Sequence, residues 1–317
     1  MTLMSAIPAR CVIPLPGGVE MAFRLLPAGE FLMGSRGYEA AEEPVHRVII
    51  AEPFWMAETP VTQAQFAVWT KAKGIGHQNR FAGHPDHPAE NMDWHQSVVF
   101  AEWLSRTCAA SLPPGYPCAT LPSEAQWEYA CRAGTPTEYH TGDGEPALME
   151  AGWFGEDWEK GSTHPVRQKI PNAFHLFDMH GNVWEWCADV WDARAYRKRP
   201  SPWQAKVWDL TVAGDDAEYL GDSDRSSNNP DRVMRGGSWC HSAWGCRSAF
   251  RFGWGPGDRF GYLGFRMALV PGSGGGQQQG SGATTSQPAP GDGGRGTRPE
   301  SEGAVDLSAA TLSKPPA

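Results

Sequence analysis

Apolar and polar positions alternate in two blocks near the start of the chain. MAFRLLPAGEFLMGS (residues 21–35) alternates well enough for two strands broken at Pro27-Ala28-Gly29, and HRVIIAEPFWMAET (46–59) reads as a further strand. The period then lengthens to that of a helix. In PVTQAQFAVWTKA, Thr62 is an N-cap with Gln65 three residues on, where it closes a capping box. In LPSEAQWEYACRAG, Ser123 caps after Pro122, Gln126 completes the box and Gly134 is the stop. SVVFAEWLSRTC (97–108) carries an apolar stripe at Val98, Phe100, Ala101, Leu104 and Cys108. The rest is Gly, Pro, Asn and Asp in long connections. Their backbone polar groups need partners beyond strand ladders, and tryptophan packing, side-chain hydrogen bonds or bound calcium are the usual suppliers.

Patterning ends after Val270. Residues 272–317 contain no aromatic residue, whereas all 15 tryptophans precede them. Such a segment buries too little apolar surface to offset its chain entropy and is expected to be a disordered Gly/Ser/Pro-rich tail. Residues 20–271 are then expected to form one domain, with residues 1–19 as an N-terminal extension. The formal charge of −9 offers no basic footprint, which argues against a nucleic-acid partner. No segment approaches a signal h-region or the roughly 20 apolar residues of a membrane helix, so no membrane partner and a cytoplasmic location are expected. Seven cysteines without a CxxC suggest neither a zinc ribbon nor a disulfide framework. Cys11, Cys108, Cys118, Cys131 and Cys187 are expected as buried small hydrophobes.

Several phrases occur in an order that carries a resemblance: FLMGS (31–35), TPVTQAQF (59–66), HPAENMDWHQSVVFAEWL (87–104), LPSEAQWEYACRAG (121–134), LFDMHGNVWEWCADVW (176–191), RVMRGGSW (232–239) and LGFR (263–266). Together they resemble the formylglycine-generating enzyme, or sulfatase-modifying factor, domain over nearly all of residues 20–270. The resemblance implies an α+β domain of the C-type-lectin-like kind with little regular secondary structure and bound calcium. The family is functionally mixed. It includes oxidases that convert a sulfatase cysteine to formylglycine, ergothioneine-pathway iron enzymes, accessory proteins of siderophore maturation, and ligand-binding proteins diversified by retroelements, so single residues have to decide.

For calcium, the family's site falls on Asp178, Gly181, Val183 and Glu185, two carboxylates and two backbone carbonyls around one turn, a donor set that suits a hard cation. The competing reading is that Asp178 and Glu185 cap the turn and pair with arginine. For redox chemistry, the oxidases carry CHxSYCxRYRxxAR, whose two facing cysteines hold copper(I) and exchange with the substrate thiol. Here the phrase is CHSAWGCRSAFR, with five residues between Cys240 and Cys246. Counting back from LGFR places Arg251 on the family's closing arginine and Cys246 where the enzymes have an aromatic residue. No catalytic residue is then expected, Cys246 being a core thiol and Cys240 a surface one. The alternative is a copper-dependent oxidase that uses both. The iron enzymes' HxxxE-bearing N-terminal domain has no counterpart.

Between the skeleton residues Arg235, Gly236, Gly237, Trp239, Arg247, Ala249, Arg251, Pro256, Arg259, Gly264, Phe265 and Arg266, aromatic and small residues alternate. Cys240, His241, Ser242, Trp244, Phe250, Phe252, Trp254, Asp258, Phe260 and Tyr262 are the expected ligand-binding set. Rigid rings interleaved with Gly and Ser give contact area at low entropic cost, as in an antibody paratope. The expectation is a protein-binding or small-molecule-binding face without redox catalysis, diversified by a retroelement or simply an aromatic groove.

Overall fold

Three capped helices anchor the described part of this computed structural model, residues 9–205 and 230–272. Gln63–Lys73 starts at Thr62, whose hydroxyl accepts from the Gln65 N–H while the Gln65 side chain accepts from the Thr62 N–H at 2.9 Å. Glu124–Arg132 begins with the same reciprocal pair between Ser123 and Gln126, and Ala133, in the left-handed region at φ 45°, closes it one residue before Gly134. The stripe at 97–108 belongs to a longer helix, Trp94–Thr107, which Asp93 and Gln96 cap in a third box. The expected tail lies, beyond Gly272, outside the described residues.

Prolines distribute the apolar blocks between sheets. Glu20–Leu26 and Gly29–Met33 flank Pro27 but join different sheets, and the block 46–59 is two strands, His46–Ile50 and Phe54–Ala57, parted at Pro53. A proline donates no ladder hydrogen bond, so each is a natural point for the chain to leave one sheet. The first sheet has the order Arg10–Pro14, Glu20–Leu26, Phe54–Ala57, Ala268–Val270, Cys118–Thr120. Its strand Arg10–Pro14, within the expected N-terminal extension, buries Ile13 and pairs with Glu20–Leu26, and Arg10 pairs with buried Glu58. Gly29–Met33, His46–Ile50 and Trp203–Gln204 make a three-stranded sheet. The sheet nearest the candidate site runs Arg251–Trp254, Arg232–Arg235, Trp184–Val190, Leu263–Gly264. Trp69, Trp127, Trp184, Trp186 and Trp239 are fully buried among these layers.

The skeleton arginines are the frame of this packing. Arg266 donates to both oxygens of Glu185 at 2.7 Å, Arg247 to both of Glu42 at 2.8 and 2.9 Å, and Arg251 to Glu124 at 2.8 Å, while Arg235 reaches Glu128. All eight side chains are buried. Arg259, more exposed, ties to Asp93 at 3.0 Å and so braces a helix cap. A buried pair of this kind adds little net stability over a well-packed apolar substitute, but removing one partner strands a charge at a cost of about 3–5 kcal/mol. Cys108, Cys131 and Cys187 are buried as expected, whereas Cys11 and Cys118 are half-buried. No helix among the described residues is long and apolar enough to cross a membrane.

Candidate functional site

After strand Arg232–Arg235 the chain turns through Gly236 (φ 100°) and Gly237 (φ 71°). A Cβ on Gly237 would meet the Cys246 Sγ at 2.4 Å and the Gly245 carbonyl at 2.8 Å, so only glycine fits. This turn brings His241 against Trp184 and closes over Cys246. Cys246 is fully buried in a cluster with Tyr139 and Leu148, and burial first, then the neighbouring Cys240, pushes its thiol well above the usual range. Cys240 is half-buried and packs on the main core cluster instead. Both sulfurs are free.

Around Cys240 lies a small polar cluster. Its Sγ is 3.4 Å from Ser238 Oγ and 3.6 Å from His241 Nδ1, and Ser238 Oγ is 2.6 Å from the same nitrogen. Trp184 Nε1–H donates to His241 Nδ1 at 3.3 Å. An indole N–H only donates, so Nδ1 accepts and the imidazole proton sits on Nε2. Burial drives the His241 pKa down to about 4 and the Cys240 pKa up to about 11. At neutral pH the pair is therefore a thiol beside a neutral ring. It lacks the imidazolium that lowers the pKa of a nucleophilic thiolate.

Rings extend from this cluster as a tract. His241 meets Tyr262 edge-on at 5.2 Å, Tyr262 stacks on Phe260 at 5.0 Å, Phe260 touches Trp254 at 5.5 Å, and Trp254 touches Phe252 at 5.7 Å. Phe252, Trp254, Asp258 and Phe260 are half-buried, so the tract offers partial ring surface to solvent. On the other side of Cys240, Trp158 stacks on Trp239 at 5.6 Å. Not all ten expected positions belong here. Phe250 and Tyr262 are core residues, each 5% exposed, because Phe250 packs under Trp184 and Tyr262 under Phe260. Trp244, exposed with Ser242, faces away from the tract onto Tyr38 and the Arg247 guanidinium, beside a cleft of about 330 Å³ lined also by Leu32, Arg132 and Glu138. Arg80, Trp158 and Ser238 were missed by pattern; they come from separate loops, and nothing in local spacing connects them.

Of the residues expected to hold calcium, the two carboxylates, Asp178 and Glu185, are already hydrogen-bonded within the protein. Glu185 accepts from Arg266 through both oxygens and from Trp127 Nε1 at 2.7 Å. Asp178 accepts from the Arg167 N–H at 2.9 Å and from the Asn182 amide at 3.2 Å. Arg266 donates further to the carbonyls of Phe177 and Asp178. The Arg266 guanidinium is thus the positive charge placed against Glu185, while Gly181 turns at φ 76° and Val183 is buried.

Residues 19–270 match the family described as the sulfatase-modifying factor enzyme 1-like domain. Two similar proteins are formylglycine-generating enzymes. That of Streptomyces coelicolor is 29% identical over 84% of this chain and 96% of its own length, and that of Thermomonospora curvata is 29% identical over 72% and 68%. Among solved structures, Treponema denticola variable protein 1 superposes with a TM-score of 0.65 at 25% identity, over 83% of this chain and 100% of that one. PvdO from Pseudomonas aeruginosa superposes with a TM-score of 0.63 at 27% identity, over 84% and 100%.

Proposed function

This chain belongs to the sulfatase-modifying factor enzyme 1-like family, with its α+β, C-type-lectin-like fold, and from that premise we propose that it works as a ligand-binding domain rather than as a dithiol oxidase. The ligand, a small molecule or a protein segment, engages the tract of Phe252, Trp254 and Phe260 beside Cys240 and His241. The observation that carries the reading is the unequal burial of two neighbouring thiols. Cys246 is sealed beneath the Gly237 turn with Tyr139 and Leu148, while Cys240 is half-buried beside Ser238 and His241. Burial raises both thiols, Cys240 to about 11, so neither is a thiolate at neutral pH. A copper(I) dithiolate or an exchangeable disulfide needs both sulfurs reachable and ionised.

The second reading, a copper-dependent oxidase acting on a sulfatase cysteine, is favoured by the similarity to the Streptomyces coelicolor enzyme along nearly its full length. One assay separates the two. Purified protein is incubated with copper(I), oxygen and a cysteine-containing sulfatase peptide, and the peptide mass is followed. No aldehyde product is expected; turnover in the wild type that is lost in both Cys240→Ser and Cys246→Ser would establish the oxidase instead. A retroelement origin of the face has its own test in sequences of the locus from related isolates. Changes would be confined to open positions such as Ser242, Trp244, Phe252 and Phe260. They would spare Gly253 and Gly261, where a Cβ would strike Trp191 and Arg80.

A further inference from the structure

Arg80 lies outside the frame: no hydrogen bond joins its guanidinium to a carboxylate among the described residues, though its charge acts on buried Glu90. Its stem lies against Gly261, where even a Cβ would come within 2.4 Å of Arg80 Cδ. Its guanidinium stands 4.0 Å over the Trp158 ring, and Nη2 donates to the Trp158 carbonyl at 3.1 Å. The backbone beside it is fixed from below, because fully buried Glu90 accepts the Phe81 N–H at 2.9 Å. Arg80 is nevertheless exposed, and its charge acts on the Cys240 thiol. The carboxylate acting on that thiol, Glu156, is committed to His164 and to the Ser162 N–H. A guanidinium presents five N–H donors in a planar fork. One is used, and the rest of the fork stands ordered and unmatched at the edge of the ring tract.

Resting on the binding reading above, we infer that Arg80 is the anion-recognising group of this site. The ligand carries a carboxylate on an apolar body; the carboxylate meets the Arg80 fork and the body lies over Phe260 and Trp254. Pre-organisation matters here, because a side chain already ordered by Trp158 and Gly261 loses little entropy on pairing. The chain's charge of −9 opposes a polyanion at the same place more strongly than a single carboxylate.

The test uses matched probes on the full chain: 3-phenylpropanoate against 3-phenylpropanamide, read by ligand-observed NMR and by tryptophan fluorescence. The acid is expected to bind about tenfold tighter than the amide, the size of a charge-assisted pair. Arg80→Met removes that preference, Arg80→Lys restores part of it, and Phe260→Ser weakens both probes, each variant being checked for an unchanged melting midpoint. A glutamyl-phenylalanine dipeptide blocked at both ends offers the same chemistry from a peptide, and its affinity relative to the free acid identifies the source. Equal binding of acid and amide, with Phe260→Ser still weakening both, overturns the role of Arg80 and leaves the binding reading standing. A preference that survives Arg80→Met overturns it too. Binding of none of the three probes removes both.

Discussion

The arginine frame and the aromatic tract share one stretch of chain, residues 232–266, and obey opposite rules. Arg235, Arg247, Arg251 and Arg266 are buried, and each is matched by a carboxylate drawn from a distant segment. Phe252, Trp254 and Phe260 lie between them in the chain, pack in series on the edge of the core, and remain half open. The frame is costly to change because an orphaned charge has no water to turn to. The tract is cheap to change because rings at a surface lose only part of their burial. A domain built this way keeps its fold while its contact chemistry varies, and that is the physical basis for reading it as a binding scaffold.

The sharpest break in that contrast is to remove a frame partner. Glu185→Ala leaves Arg266 buried without its carboxylate and is expected to lower unfolding free energy by about 3–5 kcal/mol in denaturant titration. A loss below about 1 kcal/mol would place the pair among weak surface bridges. Gly237→Ala comes next, at roughly 2 kcal/mol, because it forces a side chain into the left-handed region and against Cys246. The same titration reads it, and a neutral result would mean that the turn relaxes freely.

Acid provides a graded comparison. Burial pushes His180 down to about 3 and His140 and His241 down to about 4, from an ordinary value of 6.5. The unfolded chain takes up these protons below its own pKa and the folded chain does not, so their contribution is complete above pH 6.5 and is lost as pH falls from there toward 4. Unfolding midpoints in urea should therefore fall between pH 7 and pH 4.5. His180→Gln and His241→Gln should each flatten that slope by a similar amount, since both folded values lie below pH 4.5. Absent flattening in both would contradict the assignment. Smallest is Trp244→Ser, expected within about 0.5 kcal/mol of the parent, because an exposed ring supports little else; a loss above about 2 kcal/mol would move Trp244 into the frame.

Much of this was legible in the chain, and the rest was hidden for definite reasons. Capping boxes at Thr62 and Ser123 are local and were readable, but the box at Asp93 was not, because Trp94 and His95 stand outside the apolar stripe that marks the helix after them. The single strand read over 46–59 is two, since Pro53 parts a run whose apolar character is continuous. Phe250 and Tyr262 looked like contact residues because they alternate with small ones, yet each is covered from a distant part of the fold: Trp184 lies over Phe250, and Trp158 touches Tyr262. Glu185 reads as a calcium ligand by type and spacing. Its actual partner, Arg266, is 81 residues away, and a carboxylate's choice between a metal and a guanidinium at that separation is not written in local spacing. The arginine pairing was the competing reading from the residues alone, and for Glu185 the Arg266 guanidinium occupies both oxygens.

The claim on which the rest depends is that Cys246 is sealed beneath the Gly236-Gly237 turn while Cys240 stays half-buried, so that the two neighbouring thiols do not form one redox centre. It is tested most directly by oxidising the native protein with diamide, digesting it without reduction and mapping its disulfides by mass spectrometry. No peptide joining Cys240 to Cys246 is expected, with Cys246 alkylated only after unfolding. A Cys240–Cys246 disulfide formed in the folded protein would contradict the account and return the chain to the oxidases.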